Sequence, residues 1–212
     1  MPAQGNASLP VIKRLPKYYR YLCMMQKNGI TEVSSKYLAD TLGTTASQVR
    51  QDFNCFASFG RQGIGYEVDK LVDELGKLLF GSGEPLPSIM VGAGRLGSAV
   101  SRFITNETSG YKLLAAFDGN AELVGKDLNG VPIYHTDDLE KFCRENHVAM
   151  AVLCLPRTGA IALAPTLVEA GVKGFWNFSH YDLVVDYPQL VVENVHLGDS
   201  LMSLSYRLRN EQ

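Results

Sequence analysis

A glycine triplet of fixed spacing, Gly92-Ala93-Gly94-Arg95-Leu96-Gly97, follows directly on the apolar run Ile89-Met90-Val91. A strand that ends in this spacing turns tightly into a helix. The free backbone amides and positive dipole end of that helix suit the pyrophosphate of a dinucleotide. The triplet lies in mid-chain, behind about 80 residues of a different character.

Charge marks the difference. Residues 1–66 carry eight Lys/Arg and three Asp/Glu, a balance of +5; the whole chain of 212 residues has 20 against 22, which leaves twelve against nineteen, or −7, for residues 67–212. A basic segment joined to an acidic one implies a polyanionic partner for the first alone. With 46% hydrophobic residues there is enough apolar chain for two modest cores. No apolar run approaches the ~20 residues of a membrane span and no charged-then-apolar leader opens the chain, so a soluble cytosolic protein is expected. Cys23, Cys55, Cys143 and Cys154 show no CxxC spacing and lie among apolar neighbours, which predicts buried, reduced thiols and neither a disulfide nor a metal site.

After an unpatterned leader to about Pro10, Leu15, Tyr18, Tyr19, Leu22 and Met25 recur at three-to-four spacing, marking a helix within 11–28 whose true start is near Pro16. Ser34-Ser35 offers an N-cap for a short helix with Tyr37, Leu38 and Leu42 on one face, and Gly43 ends it. Thr45-Ala46-Ser47-Gln48 then has the form of a capping box, Thr45 accepting from a backbone amide while Gln48 reaches back. Helix, glycine turn, helix is the helix-turn-helix layout, whose second helix presents its first residues to base edges in the major groove. Here those residues are Ser47, Gln48, Arg50 and Gln51, types that bond adenine, guanine or phosphate. Lys36 and Lys17 are candidate phosphate contacts. Phe59-Gly60-Arg61-Gln62-Gly63-Ile64-Gly65-Tyr66 reads as a hairpin wing able to bring Arg61 to a minor groove. A polar helix at about 68–80 leads into Gly81-Ser82-Gly83-Glu84-Pro85, the domain boundary.

Beyond it, strand-like runs at 87–91, 112–117, 148–155, 173–178 and 190–195 alternate with helical patterns at about 94–106, 137–146 and 158–170. That order predicts a doubly wound, Rossmann-like parallel sheet covered on both faces. Asp118, 21 residues after Gly97 at the end of the second strand, can take ribose hydroxyls and repel a 2′-phosphate, which selects NAD(H) over NADP(H). His135, His147, His180 and His196 are scattered, with no dehydrogenase-like pairing. At the end of the chain Leu197, Leu201, Leu204 and Leu208 form a heptad stripe suited to exchange with a partner subunit, although packing on its own sheet is the simpler alternative.

In these segments the chain resembles the Rex family of bacterial redox-sensing transcriptional repressors over nearly its whole length. The resemblance is carried by Val11 to Arg20, Val33-Ser34-Ser35, Thr45 to Arg50, Phe59-Gly60 with Gly63 to Tyr66, Val91 to Gly97, Gly171-Val172-Lys173-Gly174, Asn177-Phe178 and Val192-Glu193-Asn194-Val195. It implies an α/β protein: an N-terminal winged helix-turn-helix (1–81), a Rossmann NAD(H)-binding domain (86–196) and a domain-swapped C-terminal dimerisation helix (197–212). It implies a homodimer on palindromic double-stranded DNA operators, released when NADH binds, with NAD+ competing without causing release. Ser47, Gln48, Arg50, Arg61, Gly63 and Tyr66 would meet DNA. Gly92, Gly94, Arg95, Leu96, Gly97 and Asp118, with Ala93 between the glycines, would meet the dinucleotide, and Leu155-Pro156 would lie near the nicotinamide.

Some positions depart from the family pattern. Members of the family can couple a Tyr on the first Rossmann helix and an Asp after the Glu-Asn-Val run through an Arg of the first helix; the matching residues here are Phe103, His196 and Arg20. The common Asn-Phe-Ala-Pro is Asn177-Phe178-Ser179-His180, and the usual Arg-Lys is Arg50-Gln51. A repressor with a weakened NADH response is therefore one alternative. Others are an NAD-dependent oxidoreductase with an N-terminal interaction module, which lacks an evident acid or base, and a repressor whose Rossmann domain is only structural.

Overall fold

The computed structural model describes residues 8–56, 65–107 and 110–210. The chain divides into two compact units, Met1–Glu84 and Pro85–Gln212.

In the first unit, α1 (Leu9–Lys27) buries Val11, Leu15, Tyr18, Leu22 and Met25, one helical stripe. It starts upstream of the expected point and runs through Pro16. The proline sits on the exposed side, where Ile12, whose carbonyl loses its amide partner, is also exposed, so water can satisfy that oxygen. α2 (Ser35–Leu42) is capped by Ser34, whose Oγ accepts from the Tyr37 amide, and is ended by Gly43 at φ +66°. Its buried side is Leu38, Ala39 and Leu42; Tyr37, expected there, is exposed. α3 (Ala46–Asn54) follows within one turn. β1 (Glu32–Val33) pairs antiparallel with β2 (Tyr66–Glu67), and α4 (Val68–Phe80) packs on α1, with Phe80 edge-on to Tyr19. α4 is amphipathic and not simply polar: Val68, Leu71 and Leu75 are buried.

The second unit is a six-stranded parallel sheet, ordered β5-β4-β3-β6-β7-β8. The strands are β3 (Leu86–Val91), β4 (Tyr111–Asp118), β5 (Ile133–His135), β6 (Met150–Leu153), β7 (Gly174–Asn177) and β8 (Val191–Asn194). Renumbered from the first strand, the order is 3-2-1-4-5-6, so the winding reverses between β3 and β6. Alternate residues feed two cores. Ile89, Val91, Ala151, Leu153 and Phe175 face one side with α6 (Leu139–Glu145) and α7 (Arg157–Glu169); Met90, Ala116 and Val152 face the other with α5 (Arg95–Glu107). β5 and the four-residue α8 (Leu183–Asp186) are too short to show a period.

The expected cover on both faces is incomplete. Beside α5, a hollow of about 510 Å³ lies open over Met150, Trp176 and Val191, because no helix of this unit follows β7 on that side. α9 (Leu197–Asn210) does not fill it: Leu197, Leu201, Leu204 and Leu208 are each at least half exposed. In this structure the leucine stripe is not packed on its own sheet.

Candidate DNA interface and nucleotide site

The turn between α2 and α3 is fixed at both ends, by Gly43 and by Thr45, whose Oγ1 accepts from the Gln48 amide at 3.1 Å. Only this half of the capping box forms. The Gln48 side chain turns the other way, and its Nε2 donates to Asp52 Oδ1 at 2.8 Å. Asp52 is fully buried and receives three further hydrogen bonds from α1: Arg14 Nε at 2.6 Å, Arg14 Nη2 at 2.7 Å and Tyr18 Oη at 2.8 Å. Burial alone would raise the Asp52 pKa. The hydrogen bonds from Arg14, Tyr18 and Gln48 and the Arg14 charge outweigh it and hold the carboxyl below its usual range.

With Val49, Asp52 and Phe53 inward, α3 presents Ser47, Arg50, Gln51 and Asn54 outward at helical spacings of three and four. Arg50 Nη1 also donates to Ser35 Oγ on α2 at 3.1 Å, which steadies its long side chain. Lys36 is exposed in the first turn of α2. Three expectations need correction. Gln48 is committed to Asp52. Tyr66 is a core residue, 8% exposed and edge-on to Phe53, because β2 runs antiparallel to β1 and turns this ring inward. Lys17 Nζ donates to the Leu42 carbonyl at 2.8 Å and so serves the end of α2. Arg61 and Gly63 lie outside the described residues. Sequence reasoning passed over Asp52 and Asn54, although a carboxylate between Val49 and Phe53 on an apolar face was a visible signal.

At the second site the three glycines have three separate reasons. Gly92 has φ +98°, and a Cβ there would come within 2.5 Å of the Cys154 carbonyl oxygen. At Gly97 a Cβ would lie 2.0 Å from the Gly92 oxygen, so only glycine lets α5 pack this close to β3. Gly94 faces open space, as the position nearest a pyrophosphate must. The Asp118 carboxylate holds the loop: Oδ2 accepts from the Ala93 amide at 2.8 Å and Oδ1 from the Asn120 amide at 2.9 Å. Each oxygen keeps a second lone pair for a hydroxyl. A cavity of about 340 Å³ opens where the strand order reverses, bounded by Gly92, Gly94, Asp118, Thr136, Leu155 and Pro156. Arg95 and Leu96 are exposed in the first turn of α5. Backbone amides, a carboxylate and apolar walls fit the pyrophosphate, ribose and ring of a dinucleotide.

The thiols do not fit a redox role in the second unit. Burial pushes Cys154, on the cavity wall, up to about 12 and Cys143 up to about 11, so both stay protonated. Cys55, expected to be buried, is exposed at the end of α3, where its Sγ donates to the Gln51 carbonyl. Of the remaining expected switch residues, Arg20 is exposed on α1, and Phe103, exposed on α5, has its ring 6.3 Å from that of Trp176. His196 is half-buried and meets His180, Nδ1 to Nδ1, at 3.0 Å.

A helix-turn-helix unit joined to a doubly wound sheet with a glycine loop at its reversal defines a DNA-binding regulator with a nucleotide-type sensor domain. Comparison with known proteins narrows this class. Residues 6–54 match the family described as "Putative DNA-binding protein N-terminus", and residues 85–181 match a CoA binding domain. The redox-sensing transcriptional repressor Rex of Caldanaerobacter subterraneus subsp. tengcongensis is 44% identical over all of this chain and 94% of its own length, and that of Clostridium beijerinckii is 42% identical over the full length of both. Among solved structures, RSP in complex with β-NAD+ and operator DNA superposes with a TM-score of 0.87 at 42% identity, covering 97% of this chain and 94% of that one. RSP in complex with β-NADH also gives 0.87, at 40% identity, over 97% and 96%. The chain belongs to the Rex family of redox-sensing transcriptional repressors. This is a family of repressors and not of enzymes, and no described helix is long and apolar enough to cross a membrane.

Asp52 gives a test of the first site. Asp52→Ala removes the acceptor of four hydrogen bonds and leaves Tyr18 buried without a partner, while Arg14, 34% exposed, can turn to water, so the midpoint of thermal unfolding should fall at pH 7. Because the native carboxyl titrates below its unfolded value, its contribution is complete above the unfolded pKa and fades as pH falls through the native one. The stability gap between the native chain and Asp52→Asn, followed by circular dichroism, should therefore narrow below about pH 4. A gap that is constant or widens on acidification would contradict the ionised hub.

Proposed function

We propose that this chain acts in the cytoplasm as a homodimer that grips palindromic operator DNA with its paired α3 helices and leaves it when NADH fills the cavity at the sheet reversal. The cellular NADH/NAD+ ratio then sets repression. The observation that carries this reading is the open space above Gly94, next to the Asp118 carboxylate, in the same chain as the outward stripe of α3. RSP, held with β-NAD+ on operator DNA and separately with β-NADH, supports it.

Residues 1–81 form the DNA-binding part, 86–196 the NAD(H)-binding part and 197–212 the dimerisation helix. The pyrophosphate lies on the amides of the Gly92–Gly97 loop, with Ala93, Arg95 and Leu96 around it. Asp118 bonds the ribose with its spare lone pairs and repels a 2′-phosphate. Leu155 and Pro156 flank the nicotinamide. A CoA binding domain and an NAD site share an ADP moiety, so the match at 85–181 is compatible with this ligand. On the DNA, Ser47, Arg50 and Gln51 read base edges with Asn54 beside them, Lys36 meets phosphate, and Arg61 and Gly63 add further contacts to the duplex. The exposed leucines of α9 are accounted for if each helix crosses to the other subunit.

To move a dimer from mostly open to mostly closed, NADH must bind the closed form better by about 5.5 kcal/mol. One observation favours a second reading, in which this discrimination is weak. Phe103 has no hydroxyl, and His196 is turned to His180, so neither brings the polar partner that Arg20 would need.

Fluorescence anisotropy of a labelled operator decides between the two. Full sensing gives release at micromolar NADH and none with NAD+; equal, shallow responses to both would establish the weak sensor. Arg50→Ala should lower operator affinity by about 1–3 kcal/mol and relax base choice, and equal losses on operator and random duplex would refute base reading. Leu204→Glu should convert the dimer to monomer in light scattering and abolish tight operator binding. A variant that stays dimeric would place the interface elsewhere.

A further inference from the structure

We propose that His180 and His196 together form a binding site for a transition-metal dication of the zinc, nickel or copper class. The two imidazoles come from separate segments, the turn after β7 and the link between β8 and α9. Their rings are close to parallel, at 17°, with centroids 5.0 Å apart and Nδ1 atoms 3.0 Å apart. Rings so disposed meet edge to edge, nitrogen to nitrogen, and do not stack face on face.

Two like nitrogen atoms at this distance share one proton, or one cation. In the first case a neutral imidazole donates its Nδ1–H to the lone pair of the other. In the second, both rings take the Nε2–H tautomer and both Nδ1 lone pairs turn to a metal. Metal–imidazole bonds of about 2.0–2.1 Å span a 3.0 Å pair of donors at close to a right angle, the relation of neighbouring ligands in the tetragonal shells of nickel and copper, and the tetrahedral shell of zinc is reached when the pair opens by a few tenths of an ångström. Imidazole suits zinc, nickel and copper, not magnesium or calcium. His180 is exposed and His196 half-buried, so a hydrated ion has access and water can complete the shell.

The backbone gives independent support. His180 has φ +58°, a left-handed conformation that side-chain-bearing residues adopt rarely and that gathers at functional sites. The turn is held by its neighbours: Asn177 Nδ2 donates to the Tyr181 carbonyl at 2.7 Å and to Asn194 Oδ1 at 2.8 Å, and the Ser179 amide and hydroxyl both donate to Asn177 Oδ1. One amide side chain thus ties the His180 turn to the end of β8, two residues before His196. The pair is supported by structure that does not include either imidazole. A metal there would pin the root of α9 to the sheet.

The test uses the full chain and Zn2+ or Ni2+ as the probe, in calorimetry and thermal unfolding. Expected is one ion per chain with a rise in unfolding midpoint. His180→Ala and His196→Ala should each weaken binding by about tenfold or more, since losing one of two ligands costs at least as much as losing a residue that only orients one. His135→Ala and His147→Ala should bind as the native chain does. No binding by the native chain at millimolar Zn2+ or Ni2+, or binding that survives in the His180 and His196 variants, would overturn the proposal. Because metal binding is read without DNA or nucleotide, its failure is distinct from failure of the repressor function.

Discussion

The buried carboxylate of Asp52 fixes how α3 is rolled about its own axis. An ionised group with no access to water must find its bonds within the protein, and four donors supply them, three on α1 and one on α3 itself. Turning α3 by a single residue, about 100°, would bring Phe53 toward solvent and leave Arg14 and Tyr18 facing carbon. The cost falls on both sides of the contact, so the alternative roll is excluded. With α3 held in this roll, Ser47, Arg50, Gln51 and Asn54 point outward, and the caps at Gly43 and Thr45 need only set the angle between α2 and α3.

A second carboxylate plays the matching part in the sheet unit. Asp118 reaches from the end of β4 to the Ala93 amide and keeps the glycine loop in shape when no ligand supports it. The loop is already crowded, by Cys154 against Gly92 and by Gly92 against Gly97, so it has little freedom to collapse into its own cavity. Each Asp118 oxygen takes a single amide and keeps a lone pair open, so a further donor can be accepted without loss of the bonds that hold the loop.

Much of this was legible in the sequence, for a definite reason. Caps, glycine spacings and apolar periods are local, and α2, α3, α5 and the strands β3, β4, β6, β7 and β8 follow from them to within a few residues. What failed was the destination of individual polar groups. Gln48 could have closed a capping box; Asp52, one turn on, outcompeted the Thr45 amide because a buried carboxylate gains more from the bond. Tyr66 looked like a wing residue until pairing with Val33 decided which face of β2 it occupied. Cys55 has apolar neighbours in sequence, yet it follows the last turn of α3, where the stripe has rotated outward. Tyr66 depends on a partner brought from a distant part of the chain, whereas Gln48 and Cys55 turn on which of two nearby alternatives wins, which periodicity and capping patterns do not rank.

Because every strand of the sheet is parallel, the carboxyl ends of β3, β4 and β6, which bound the cavity, share one edge with the end of β8, from which α9 starts. Only Val195 and His196 separate β8 from α9. A 14-residue amphipathic helix with none of its described side chains buried is marginal in water, so its order depends on whatever covers Leu201 and Leu204. The cavity and the root of α9 thus lie on the same edge of the sheet, with β7 between β6 and β8. Whatever binds at this edge can shift α9 between two positions by no more than the difference in its affinity for the two.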